Sequence, residues 1–108
     1  MGSKWEDFVD NVKDDAGTLA KKELKDFINN SKKDSDAFIQ RQGQKLELYL
    51  NQLAAGSITK QQFEGYVVDV KDLTEMQALK MSVAAKARAQ YVVTSIANLI
   101  IDGLLKLV

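Results

Sequence analysis

The side chains of this chain that could do acid–base or metal chemistry are carboxylates, amines and hydroxyls alone, because it has neither histidine nor cysteine. Those two absences remove the commonest metal ligands, the usual general base near neutral pH and the thiolate nucleophile. Paired carboxylates occur at Glu6-Asp7 and Asp14-Asp15. Adjacent residues on a helix diverge, so neither pair can converge on one proton or one cation. Near a helix N-terminus such residues favour the positive end of the dipole instead. Di-iron carboxylate bundles need Glu-x-x-His, which cannot occur here. No phosphate-cradling loop is present, since Gly43, Gly65 and Gly103 stand isolated within helical patterns. Lys21-Lys22 and Lys32-Lys33 are too sparse for a groove that tracks phosphates. Fifteen basic residues balance fifteen acidic ones, which leaves no electrostatic case for nucleic acid. The expectation is a non-enzymatic protein with no cofactor and no metal.

What must position these residues is helical. The chain has no proline, 45% of its residues are apolar and 28% are charged, the balance of one ordinary globular domain spanning residues 1 to 108. Apolar residues at Trp5, Phe8, Val12, Ala16, Leu19, Leu24, Phe27 and Ile28 fall close to one helix face. They predict a first helix over about 4 to 30, in which Gly17 weakens the pattern by about 1 kcal/mol without ending it. The polar run 29 to 36 predicts a turn, with Asp34 or Ser35 as the cap of a second helix over about 35 to 55. If 29 to 36 stays helical, the result is a long antiparallel hairpin. The fold class is all-α, an antiparallel helical bundle or that hairpin, with three to four helices. Helix-spaced aromatics such as Trp5, Phe27, Phe38, Tyr49 and Phe63 suit a core better than a ligand cage, and an apolar-ligand carrier would lack a polar anchor. Charge is uneven along the chain: Glu6, Asp7, Asp10, Asp14 and Asp15 crowd the start, and Lys80, Lys86 and Arg88 the later part, which would let the two stretches face each other.

Gly56-Ser57-Ile58-Thr59 is the strongest punctuation. Gly56 suits the left-handed position that ends a helix, and Thr59 with Gln62 has the form of a capping box. Ile58 and Phe63 are placed as its hydrophobic staple. Leu50, Leu53, Gly56, Ile58, Thr59 and Phe63, within residues 48 to 68, resemble the helix-turn-helix of the SHOCT domain, a short bacterial module. The match departs from that family at Gln62, where an acidic residue is usual, and at Val67-Val68, where a lysine-bearing stretch is usual. The resemblance implies a small association hairpin without catalysis. A third helix runs from Lys60 toward the C-terminus, with a break near 72 to 74 suggested by Thr74 and Gln77 as a second capping box. Unbroken to residue 108, it would be about 73 Å long. Its Met76, Leu79, Val83 and Ala87 stripe lies on a different face from the later Ile96, Ile100 and Leu104 stripe, so this helix needs partners on more than one side.

The segment from Tyr91 to Val108 carries only two charges, Asp102 and Lys106, at the spacing of a surface ion pair. Its apolar residues fill an arc of roughly 200°. Val92, Ile96, Leu99, Ile100, Gly103, Leu104 and Leu107 are therefore the candidate interface, and Gly103 could mark a close helix crossing. The leading expectation is an association or oligomerisation module that uses this face as core or interface, paired with a second copy or another helical protein. The alternative is a membrane-active or lipid-binding protein that releases this helix at a bilayer, although Asp102 and Lys106 are costly at mid-membrane. No secretory leader pattern opens the sequence, which points to the cytoplasm. Met1-Gly2-Ser3 also fits an expression scar in place of a leader, which leaves a processed, exported protein open.

Overall fold

Trp5, Phe27 and Phe63 come from three separate helices and all are buried in one core. The computed structural model describes residues 4–108, so Met1-Gly2-Ser3 lie outside the described residues. Among those described, every regular element is helical: α1 (Lys4–Asn11), α2 (Lys21–Lys32), α3 (Ala37–Ala54), α4 (Lys60–Ala78) and α5 (Val83–Ser95). A π-helical run (Ile96–Ile101) and a short 3-10 turn (Leu104–Lys106) continue α5. Five α-helices form where the sequence predicts three or four. The extents of 40 × 27 × 25 Å rule out the extended hairpin and any 73 Å helix. Instead α3 packs against α1, α2 and α4, while α5 returns along α4 and touches α2.

Two expected helices are cut by local chemistry. The first, expected over 4 to 30, stops at Asn11 and restarts at Lys21. Gly17 has φ +65°, which a right-handed helix cannot contain. Asp14 accepts hydrogen bonds from the Thr18 N–H (3.1 Å), the Thr18 hydroxyl (3.3 Å) and the Leu19 N–H. A carboxylate that satisfies backbone donors in this way offers them an alternative to the helix. Gly17 thus lies in the loop between two helices, not inside one. The second break falls not at 72 to 74 but at 79 to 82, where Ser82 caps α5 by accepting from the Ala85 N–H (3.4 Å). Thr74 is not a cap. It is fully buried inside α4, its hydroxyl donates to the Val70 carbonyl one turn back (2.7 Å), and it accepts from the Gln42 amide (3.0 Å).

The other joints follow their sequence signals more closely. Of the turn expected over 29 to 36, residues 29 to 32 stay in α2 and only 33 to 36 turn, and the cap is Asp36, accepting from the N–H groups of Phe38 (2.9 Å) and Ile39 (3.1 Å). Asp34 is occupied elsewhere, by Arg88 at 3.0 Å. The α3–α4 turn closes with paired bonds from Gly56 N–H to the Leu53 carbonyl (3.1 Å) and from Ser57 N–H to the Gln52 carbonyl (2.9 Å). Thr59 and Gln62 complete the capping box reciprocally, at 2.9 and 3.0 Å. Where α2 crosses α3 the backbones nearly touch, because a Cβ on Gly43 would lie 2.7 Å from the Lys32 nitrogen and 2.8 Å from Ser31. Only glycine allows that approach. It brings Lys32 onto Glu47, whose carboxylate also accepts from the buried Trp5 indole at 3.1 Å. Within the acidic start Asp10 pairs with Lys25 at 2.7 Å, and in the 80 to 88 stretch Arg88 pairs with Asp34.

Candidate association surface

The expected interface residues are where the chain buries itself. Val92, Ile96, Ile100 and Leu104 are buried in the core of the single chain, and Leu99 and Leu107 are half-buried against it. Gly103 marks no helix crossing. A Cβ there would lie 2.6 Å from the Leu99 carbonyl oxygen of its own preceding turn and 3.2 Å from Leu19 of the α1–α2 loop. The π-helical winding, with Asp102 N–H bonded to the Ala97 carbonyl at 2.9 Å, keeps Ile96 and Ile100 both inside. The apolar C-terminal face is thus covered within one molecule, and α4 covers part of it.

Tyr91 and Val108 at the two ends of this segment are exposed, and a larger exposed apolar set lies elsewhere. Leu73 (41%), Met76 (65%), Leu79 (77%) and Val83 (88%) stand in solvent along the end of α4 and the start of α5. α4 has two faces: Phe63, Val67, Val70, Thr74 and Ala78 point into the core, locked by the Gln42–Thr74 bond. The opposite side carries Tyr66, Asp69, Leu73 and Met76, at helical spacings of three and four residues. Tyr66 lies against Tyr49 of α3, with ring centroids 4.9 Å apart, which fixes the far end of the stripe. The stripe is flanked by Lys71, which donates to Glu75 at 2.9 Å. That hydrogen bond, opposed by desolvation and helped by the charges of Glu75 and Asp72, holds the Lys71 ammonium above its ordinary pKa. Lys80 and Lys86 follow, in a stretch with no acidic residue between Glu75 and Asp102.

Two concavities adjoin α5. A groove of about 490 Å³ runs between α4 and α5, past Ala78, Leu79, Lys86 and Val93. A cleft of about 300 Å³ is walled by Phe27, Ile39, Tyr91 and Val92, with the Asp34–Arg88 pair at its rim. Asp34 also accepts there from the Asp36 N–H at 2.8 Å. Among the described residues no group of three or more carboxylates is placed to hold a metal ion, and no helix is long and apolar enough to cross a membrane.

The expected stripe of Met76, Leu79, Val83 and Ala87 is divided by the break at 79 to 82, with Met76 on α4 and Val83 and Ala87 on α5, and all four are exposed. Leu73 and Tyr66 were hidden by their place in a helix that also supplies core residues. No family model, curated protein or solved structure matches this chain.

Proposed function

We propose that this chain is a non-enzymatic helical association module that docks a protein partner on the outer face of α4 and the adjoining start of α5. The observation that carries this reading is the cluster of Leu73, Met76, Leu79 and Val83 in solvent at one end of the molecule. Scattered exposed apolar residues are normal, whereas several close along the chain, here from the end of α4 across the turn to the start of α5, are what binding surfaces share. The α3–α4 hairpin, the part that resembles an association hairpin, presents this face on a helix held from beneath by Gln42 and Thr74. Release of the C-terminal segment would withdraw Ile96, Ile100 and Leu104 from the core, at about 1.5–3 kcal/mol each in water, and a bilayer would have to rebury all three to offset it.

The test is site-specific photocrosslinking in the cells that make the protein, with the photoreactive side chain at position 73, 76, 79 or 83 and a control at exposed Asn98. A discrete adduct from the first set and none from the control supports the reading. No adduct from any of the four positions overturns it.

A further inference from the structure

The outer face of α4 is self-complementary, and its spacing gives a register. Tyr66, Asp69, Leu73, Met76 and Lys80 follow one another by three, four, three and four residues, the alternation of a helix-pairing seam. Lys80 lies two residues past the end of α4, in the first part of the turn to α5, where its N–H bonds three residues back to the Gln77 carbonyl at 3.0 Å. All five side chains are exposed. Asp69 and Lys80 have no ion-pair partner among the described residues, although the neighbouring Lys71, Asp72 and Glu75 pair with each other.

We infer that the partner is a second copy of this chain, bound antiparallel through α4 about a two-fold axis between Leu73 and Met76. This rests on the proposed association reading and names its partner. In an isologous interface each contact occurs twice, residue i against j and j against i. Centring the axis there sets Leu73 of one copy against Met76 of the other. The same register sets Asp69 against Lys80, so the two unpaired charges of each chain are neutralised by the other. Tyr66 then meets the end that carries Leu79 and Val83. No other centring along the seam both stacks the apolar pair and opposes the charges: moving the axis by one layer sets Asp69 against Met76 or Leu73 against Lys80. A parallel pairing would place Asp69 beside Asp69 and Lys80 beside Lys80. α4 is about 28 Å long, so the interface belongs to the smaller, concentration-dependent class.

The experiment is sedimentation equilibrium of the full chain from about 10 μM to about 1 mM at low ionic strength, where exposed pairs are least screened. The expected wild-type result is a monomer–dimer equilibrium that ends near twice the 12.0 kDa chain mass. Met76→Asp should abolish it while leaving the helical circular dichroism unchanged. Asp69→Lys and Lys80→Asp each set two pairs of like charges across the axis, and each should weaken dimerisation by at least about fivefold. Combining them restores opposite charges, and should recover most of the wild-type constant. A dimer abolished by Met76→Asp but not rescued by the double exchange overturns the antiparallel register and leaves the association surface standing. A wild type that stays at 12.0 kDa throughout overturns the second copy; a crosslink from position 76 to a different protein would then preserve the broader reading. Flotation with phosphatidylcholine–phosphatidylserine vesicles by a chain that stays monomeric overturns it in favour of a lipid surface.

Discussion

The C-terminal segment and the outer edge of α4 are the two most apolar stretches that the sequence leaves without an obvious partner, and the fold treats them oppositely. Val92, Ile96, Ile100 and Leu104 go inside, beneath α4 and the α1–α2 loop, while Leu73, Met76, Leu79 and Val83 stay in solvent. Part of the difference is charge: the C-terminal segment carries only Asp102 and Lys106, whereas the α4 edge includes Asp69 and is flanked by Lys71 and Glu75. The rest is width. The C-terminal arc is too broad for any one neighbour and is enclosed from several sides, whereas the α4 stripe is narrow and sits behind a helix whose inner face already supplies Phe63, Val67 and Val70. A chain of this size has one core, and once α4 has given its inner face to it, the outer stripe can be buried only by something else.

Putting a charge into each region separates them most sharply. Ile100→Asp would place a carboxylate at a fully buried position with no partner, a change of at least about 4 kcal/mol or outright failure to fold. Met76→Asp, at 65% exposure, should leave the urea midpoint of the monomer within about 0.5 kcal/mol of wild type. Urea unfolding of the two variants side by side checks this. Similar losses at both positions would mean that the α4 edge is structural, and the distinction between core and docking surface would collapse.

A smaller effect tests what holds the α4 stripe outward. Thr74→Val keeps the shape but takes one of two acceptors from the buried Gln42 amide, which also donates to the Val70 carbonyl at 3.3 Å, and should cost about 1 kcal/mol. Adding Gln42→Leu removes the half-satisfied amide as well and should return part of that loss. A double variant no better than Thr74→Val would show that this bond does not lock α4.

The fold was legible where the signal was local and single-valued. Gly56, Thr59 and Gln62 can do little but end one helix and begin the next, and they do so. Thr74 and Gln77 carry the same spacing as Thr59 and Gln62, yet Thr74 meets Gln42 from a helix far away in sequence, and that contact keeps α4 continuous. Gly17 is ambiguous in the same way: in a straight helix it is only a weak point, and here it lies in the loop that the Asp14 side chain organises. For the surface, periodicity singles out Met76, Leu79 and Val83 but carries them on one helix, and the break at 79 to 82 divides them. That the C-terminal face would be satisfied within the chain was not readable, because it depends on α4 folding back over it.

The smallest predicted effect concerns the cover over the C-terminal segment. Leu19, in the loop that Asp14 organises, is buried and lies against Gly103, so whatever steadies Asp14 steadies one wall of that region. The Leu19 N–H above all, with further hydrogen bonds from Thr18 and Gly17 and against some desolvation, holds the Asp14 carboxyl below its ordinary value of 3.8. A carboxylate depressed in the folded state contributes stability above its unfolded pKa and loses it as pH falls through the folded one. Asp14→Asn cannot titrate. Its stability deficit against wild type should therefore be constant at neutral pH, shrink as pH falls below about 4, and be smallest once Asp14 is protonated. Urea midpoints of both proteins between pH 7 and pH 2 measure it. Hydrogen exchange localises it: acid should speed exchange of the Thr18 and Leu19 amides before those of α4, relative to the intrinsic rates at each pH. If the amides of α4 open first, the outer helix and not the loop is the acid-sensitive part of the fold, and the C-terminal segment is the better protected of the two regions.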